Sequence, residues 1–103
     1  MRRAAKVDRN QTEIVKAFRD AGATVLFLHA IGSGAPDICV GWRGQNFLIE
    51  IKDGKLYPSK RRLTVQEQAF HDTWAGQVCV ATSIEDAVEK VIHAGTEARE
   101  EAT

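Results

Sequence analysis

The sequence predicts an α/β fold, a mixed four-stranded sheet flanked by helices in the order αβββαβα. Three observations carry this expectation. Apolar residues recur at helical spacing in three segments, and four short runs rich in β-branched and large apolar residues lie between them. Three of those runs follow one another directly, whereas the fourth comes only after a helix, so the sheet is mixed.

The first helix, about 10–21, opens at Asn10-Gln11-Thr12-Glu13, a capping residue with a Glu three places on. It carries Ile14, Val15, Phe18 and Ala21 on one stripe before Gly22 ends it. Strand 1 covers 24–29 and leaves through the turn Ile31-Gly32-Ser33-Gly34-Ala35-Pro36. Strands 2 (37–42) and 3 (46–52) flank Arg43-Gly44-Gln45 as a hairpin. A basic loop follows over 53–62, with Gly54 and Pro58 among Lys55, Lys60, Arg61 and Arg62, and with Tyr57 inside it. Thr64-Val65-Gln66-Glu67 forms a second capping box, and Ala69, Phe70, Thr73 and Trp74 give helix 2 an apolar face until Gly76. Strand 4 covers 77–82. Ser83 caps a third helix bearing Ile84, Ala87, Val88, Val91 and Ile92, with Gly95 as its stop. Residues 1–95 make a single domain, and 96–103 form a polar tail that need not be ordered.

With 103 residues, 44% hydrophobic, the chain supports one core, which excludes a multidomain machine. The formal net charge is zero, but the charge is partitioned: residues 1–62 hold 12 basic and 6 acidic side chains, residues 63–103 hold 2 and 8. Two readings stay open, a basic face that recruits a polyanion or an accident of a small sample. No run approaches the ~18 apolar residues needed to span a bilayer, and the basic start Met1-Arg2-Arg3 is followed by polar residues, so a cytoplasmic protein without a membrane partner is expected. Cys39 and Cys79 lie in separate apolar runs and read as buried free thiols. The three histidines are scattered, so no zinc cluster is expected.

The residues suited to chemistry gather in the hairpin. Asp37 begins strand 2, Glu50 lies near the end of strand 3, and Lys52 shares a strand face with Glu50. A four-residue loop, Arg43-Gly44-Gln45-Asn46, pairs Asp37 with Lys52 and Cys39 with Glu50, leaving Asp37 and Glu50 as diagonal neighbours on one face. A three-residue loop would put them on opposite faces. Carboxylates inside apolar strands are costly unless a cation or a charge partner satisfies them. Hard oxygens without Cys or His nearby suit Mg²⁺ or Mn²⁺, held by Asp37, Glu50 and the Ile51 carbonyl. Such a cation polarises a phosphoryl oxygen and activates a water, and Lys52 orients that water or offsets transition-state charge. The structural alternative is a strand-edge salt bridge between Glu50 and Lys52.

Gly34-Ala35-Pro36-Asp37, Phe47-Leu48-Ile49-Glu50-Ile51-Lys52 and Lys60-Arg61-Arg62-Leu63-Thr64, leading into a Gln-containing helix, resemble the PD-(D/E)xK nuclease superfamily, and within it the VRR-Nuc type. The resemblance covers residues 10–91 and implies a restriction-endonuclease-like αβββαβ core and a metal-dependent DNase. It implies Asp37 and Glu50 as metal ligands and Lys52 as the catalytic lysine. The family's stand-alone viral members are similar to Holliday-junction resolvases and act as homodimers, so branched or duplex DNA and a second copy are the implied partners, and no nucleotide cofactor is expected. The family also places an acid on the first helix, which Glu13 matches, and often a Gln near the start of the second, for which Gln68 is favoured over Gln66 and Glu67.

Other residues carry two readings each. Glu13 serves as helix cap or as outer contact to the metal. Ser33, Arg43, Lys55, Lys60, Arg61 and Arg62 are either solvated loop residues or contacts to a DNA backbone. Tyr57 either stacks on an unpaired base or anchors the loop, the anchor being favoured, and His29, His71 and His93 are read as structural. At the level of the whole chain, a structure-selective endonuclease stands against a catalytically inactive module that binds DNA or another nuclease.

Overall fold

The computed structural model describes residues 9–28 and 30–97. The elements run α1 (Gln11–Asp20), β1 (Thr24–Phe27), β2 (Ile38–Trp42), β3 (Gln45–Ile51), α2 (Val65–Thr73), β4 (Gln77–Ala81) and α3 (Ile84–Ala87), the last continuing into a π-helical stretch, Val88–His93. This is the expected αβββαβα order, with a 3-10 turn, Pro58–Lys60, inside the basic loop. The strands lie in sequence order across one sheet. β1, β2 and β3 are antiparallel neighbours, and β4 returns parallel to β3 after the crossover that contains α2. Among the described residues no helix is long and apolar enough to cross a membrane.

Alternation along the strands divides the sheet into two unlike faces. Ile38, Val40, Phe47, Ile49, Ile51 and Ala81 pack with Ile14, Val15 and Phe18 of α1 and with Ala87 and Val91 into the buried core. Phe18 is wholly buried, and its truncation to Ala would cost about 3–5 kcal/mol. The opposite face shows half-buried Cys39, Leu48, Val78 and Val80, and α2, which lies over it, buries none of its own residues.

The hairpin is tighter than the four-residue loop expected. Trp42 pairs with Gln45 across a two-residue turn whose Arg43 and Gly44 have φ of 49° and 78°, the left-handed pair of a type I′ turn. The register therefore moves by two positions: Cys39 faces Leu48 and Ile38 faces Ile49, which sets Asp37, one residue beyond the ladder, opposite Glu50 rather than opposite Lys52. An even loop length survives the change, so both carboxylates still share a face.

Helix 1 lacks the cap the sequence suggested. The Asn10 side chain makes no capping bond; its Nδ2 instead donates to the carbonyls of Lys52 and Thr82, both at 3.1 Å, tying α1 to the ends of β3 and β4. The other two caps form as expected, with Thr64 and Glu67 making the full capping box of α2 and Ser83 accepting from the Asp86 amide. Gly95 does not stop the last helix. Helical backbone runs on through 97, and Gly95 is buried where a Cβ would lie 3.0 Å from Phe47 Cζ and 3.1 Å from Trp42 Cδ1. Trp42 Nε1 donates to Thr96 Oγ1 at 3.0 Å, so the expected tail begins as ordered helix, and residues 98–103 lie outside those described. Cys39 and Cys79 are free thiols, half-buried rather than buried.

Candidate active site

Asp37 is delivered by the turn that follows β1. Pro36 before it is fully buried, and the Asp37 carbonyl accepts from the Leu28 amide at 2.8 Å. Its side chain crosses to β3, where Oδ2 accepts from the Ile51 amide at 2.7 Å. Opposite stands Glu50, 4% exposed, in a strand otherwise given to core packing. Burial first, then a hydrogen bond with Asp37 and the charges of Asp37 and Glu67, push the Glu50 carboxyl up to about 9 against the opposing pull of Lys52. At neutral pH and without a cation this carboxyl is protonated.

Lys52 Nζ lies 3.8 Å from Glu50 Oε2 but 2.9 Å from Glu67 Oε1. Since Glu50 is neutral, the anion that balances the lysine is Glu67, on the first turn of α2. Burial drives the Glu67 carboxyl upward, but the Thr64 amide, Lys52 and a hydrogen bond with Glu50 outweigh it and hold it below the usual carboxylate range. Gly34 lets α2 come this close. Its φ is +79°, and a Cβ there would sit 2.4 Å from the Gln66 carbonyl oxygen, so both backbone conformation and space require glycine.

The donor set fits a divalent cation. Glu50 Oε1 is buried without a hydrogen-bond partner, an acceptor that a metal would satisfy. With Glu50 ionised, three carboxylates and one ammonium leave two negative charges, which a divalent cation neutralises. Among the described residues no three His, Cys, Asp or Glu side chains converge on one point. Asp37, Glu50 and a backbone carbonyl such as that of Ile51 would thus be completed by water, as Mg²⁺ prefers.

The remaining candidates are spread around this centre. Glu13 is exposed and lines a cavity of about 460 Å³ with Arg9, Asn10, Asp53 and Ser83; since Asn10 makes no cap, the capping role read for Glu13 falls away. Lys55, Lys60 and Arg62 are exposed on the loop after β3, whereas Arg61 donates to the Gly54 carbonyl at 3.2 Å and braces that loop. Ser33 is exposed at a φ of 57°, and the Arg43 guanidinium sits 5.5 Å over the Trp42 ring. The Tyr57 side chain is 81% exposed, so it is not buried as an anchor, and its carbonyl accepts the Lys60 amide at 2.8 Å in the 3-10 turn of the loop. Gln68 is exposed and donates to Asp72, so the α2 residue brought to the site is Glu67. His71 is half-buried with its Nε2 unpartnered, and burial holds its pKa below the usual value. His29 lies outside the described residues.

Fold and site together define a class, an αβββαβ domain that presents a carboxylate pair and a lysine from neighbouring strands on one sheet face. A solved structure described as a VRR_NUC domain is similar to this chain, with 27% sequence identity and a TM-score of 0.53 over 82% of this chain and 92% of that one. The chain thus has the VRR_NUC type of fold, and its resemblance to the PD-(D/E)xK superfamily holds in three dimensions as well as in sequence. No family model and no curated protein matches the chain.

Proposed function

We propose that the chain is a metal-dependent DNA endonuclease that hydrolyses phosphodiester bonds, acting on branched or duplex DNA as a homodimer. The observation that carries this reading is the pairing of half-buried Asp37 with buried Glu50 beside Lys52, on a fold shared with a VRR_NUC domain. Asp37, Glu50 and the Ile51 carbonyl hold Mg²⁺ or Mn²⁺. A cation there supplies Lewis acidity to a phosphoryl oxygen and lowers the pKa of a bound water. To serve as a ligand, Glu50 would have to be ionised. Lys52 places an ammonium beside the same carboxylates, where it donates to the attacking water or to the phosphoryl oxygen that gains charge. The exposed cations of Lys55, Lys60 and Arg62 track the backbone on the flank, with Ser33 and Arg43 as further contacts. A chain with one such site cuts one strand, so paired cuts across a junction call for two copies. The free thiols Cys39 and Cys79 suit a reducing compartment, the cytoplasm.

Labelled duplex, flap and four-way-junction DNA incubated with and without Mg²⁺ or Mn²⁺ tests the reading. Cleavage is expected only with the cation, strongest on a branched substrate, and lost in Asp37→Asn and Glu50→Gln while DNA binding persists. Cleavage that survives either substitution would remove the assigned site. Cation-independent binding with no cleavage by the unmodified protein would instead make the chain an inactive binding module.

A further inference from the structure

Lysine is a flexible side chain, and a lysine that must present its charge to one phosphate needs something to hold it. Here the Lys52 ammonium reaches, among the described residues, Glu67 Oε1 at 2.9 Å and Glu50 Oε2 at 3.8 Å. The nearer contact is a hydrogen-bonded ion pair between side chains only 13% and 17% exposed, where water competes weakly. The same Glu67 oxygen accepts the Thr64 amide at 2.8 Å, and the Glu67 amide in turn donates to Thr64 Oγ1 at 3.1 Å. Glu67 therefore cannot swing away without opening the cap of α2. We propose that Glu67 is a positioning residue: from the first turn of α2 it holds the Lys52 ammonium beside the Asp37–Glu50 pair and keeps it from closing onto Glu50.

Charge decides why this matters. Without Glu67, the Lys52 ammonium would settle on Glu50, compete with a cation for its oxygens and withdraw from the substrate. With Glu67 in place, the lysine has its own counter-ion and Glu50 is left to the metal. The helix cap and the lysine's position are then one network, so the sequence element that starts α2 also sets the geometry of the site on β3. The proposal rests on the nuclease reading above for its consequence in catalysis, and on the contacts alone for its consequence in structure.

Three variants separate the roles. Thr64→Ala removes the cap's hydroxyl and spares Glu67; Glu67→Ala removes both cap and tether; Glu67→Gln keeps an oxygen for the Thr64 amide and for Lys52. Each is compared by melting temperature, by kcat and KM for cation-dependent cleavage, and by the acetylation rate of Lys52 in cation-free protein, followed by peptide mass spectrometry. Glu67→Ala is expected to lower kcat by about tenfold or more with little change in KM, and to speed Lys52 acetylation several-fold. Thr64→Ala should lower the melting temperature and leave both readouts near those of the unmodified protein, and Glu67→Gln, which keeps the accepting oxygen but not the charge, should give a kcat between that of Glu67→Ala and that of the unmodified protein. If Glu67→Ala and Thr64→Ala match in kcat and in Lys52 reactivity, Glu67 is only a cap and the proposal fails. If the unmodified protein cuts no DNA, the nuclease reading fails, and Lys52 acetylation in Glu67→Ala against Thr64→Ala still decides whether Glu67 holds the lysine.

Discussion

Glu50 carries the sharpest consequence at the scale of single residues. Its carboxyl ionises near 4.5 when exposed and at about 9 in the folded, cation-free protein. The folded state therefore binds a proton that the unfolded state has released, and between those two values stability falls as pH rises, by at most about 1.4 kcal/mol per pH unit. His71 slopes the other way, because burial lowers its pKa and its stabilising effect grows as pH rises. Denaturant melts of the unmodified protein and Glu50→Gln across pH 5–9, without divalent cations, isolate the Glu50 contribution by difference. The variant should lack the decline, and Mg²⁺ should stabilise the unmodified protein increasingly as pH rises. Asp37, Glu50 and Lys52 could be read from the sequence because two acids and a lysine interrupt apolar strands, where a purely structural strand has no use for them. Glu67 could not, since its capping box already accounted for it. A carboxylate oxygen has room for more than one donor, and the tertiary one came from a strand 15 residues away.

At the scale of elements, the strands and helices were legible because their periodicities are plain, while the joints between them were not. The hairpin register depended on whether Gln45 and Asn46 belong to the loop or to the ladder, which alternation alone leaves open. The cap read at Asn10 was a correct observation about residue type, overridden by two carbonyls, of Lys52 and Thr82, that accept its side-chain amide at the ends of β3 and β4. Asn10→Ala should strip the Lys52 carbonyl of this donor while the Thr82 carbonyl keeps the Gly54 amide at 3.0 Å, and cost about 1–3 kcal/mol in a denaturant melt. Gly34→Ala tests the other joint. A methyl group 2.4 Å from the Gln66 carbonyl, on a residue at positive φ, forces the turn and α2 apart; stability should fall by roughly 1–3 kcal/mol, and cleavage should fall with it, because the start of α2 carries Glu67.

For the whole molecule, zero net charge restrains what DNA binding can be. A few cations around one site give modest affinity and a shallow salt dependence, and replacing Lys55, Lys60 and Arg62 together should lower the slope of log K against log salt by up to ~0.9 per lost phosphate contact. Nitrocellulose or anisotropy titrations at several salt concentrations measure this directly. Mass and charge partition were readable from the sequence, whereas the two unlike faces of the sheet emerge only when its register is known. On one face α1 and the last helix bury their apolar stripes; on the other, α2 has no fully buried residue, only half-buried Glu67, Phe70 and His71, and is fastened by a cap, an ion pair and a glycine contact. Resistance to opening follows the apolar area an element buries, so the free energy to lift α2 is a fraction of that needed to unfold the sheet. Amide hydrogens of α2 should exchange with solvent well before those of α1 and β3. The half of the site that comes from α2 is thus free to detach and return many times during the lifetime of one folded molecule, while Asp37 and Glu50 stay fixed in the rigid half.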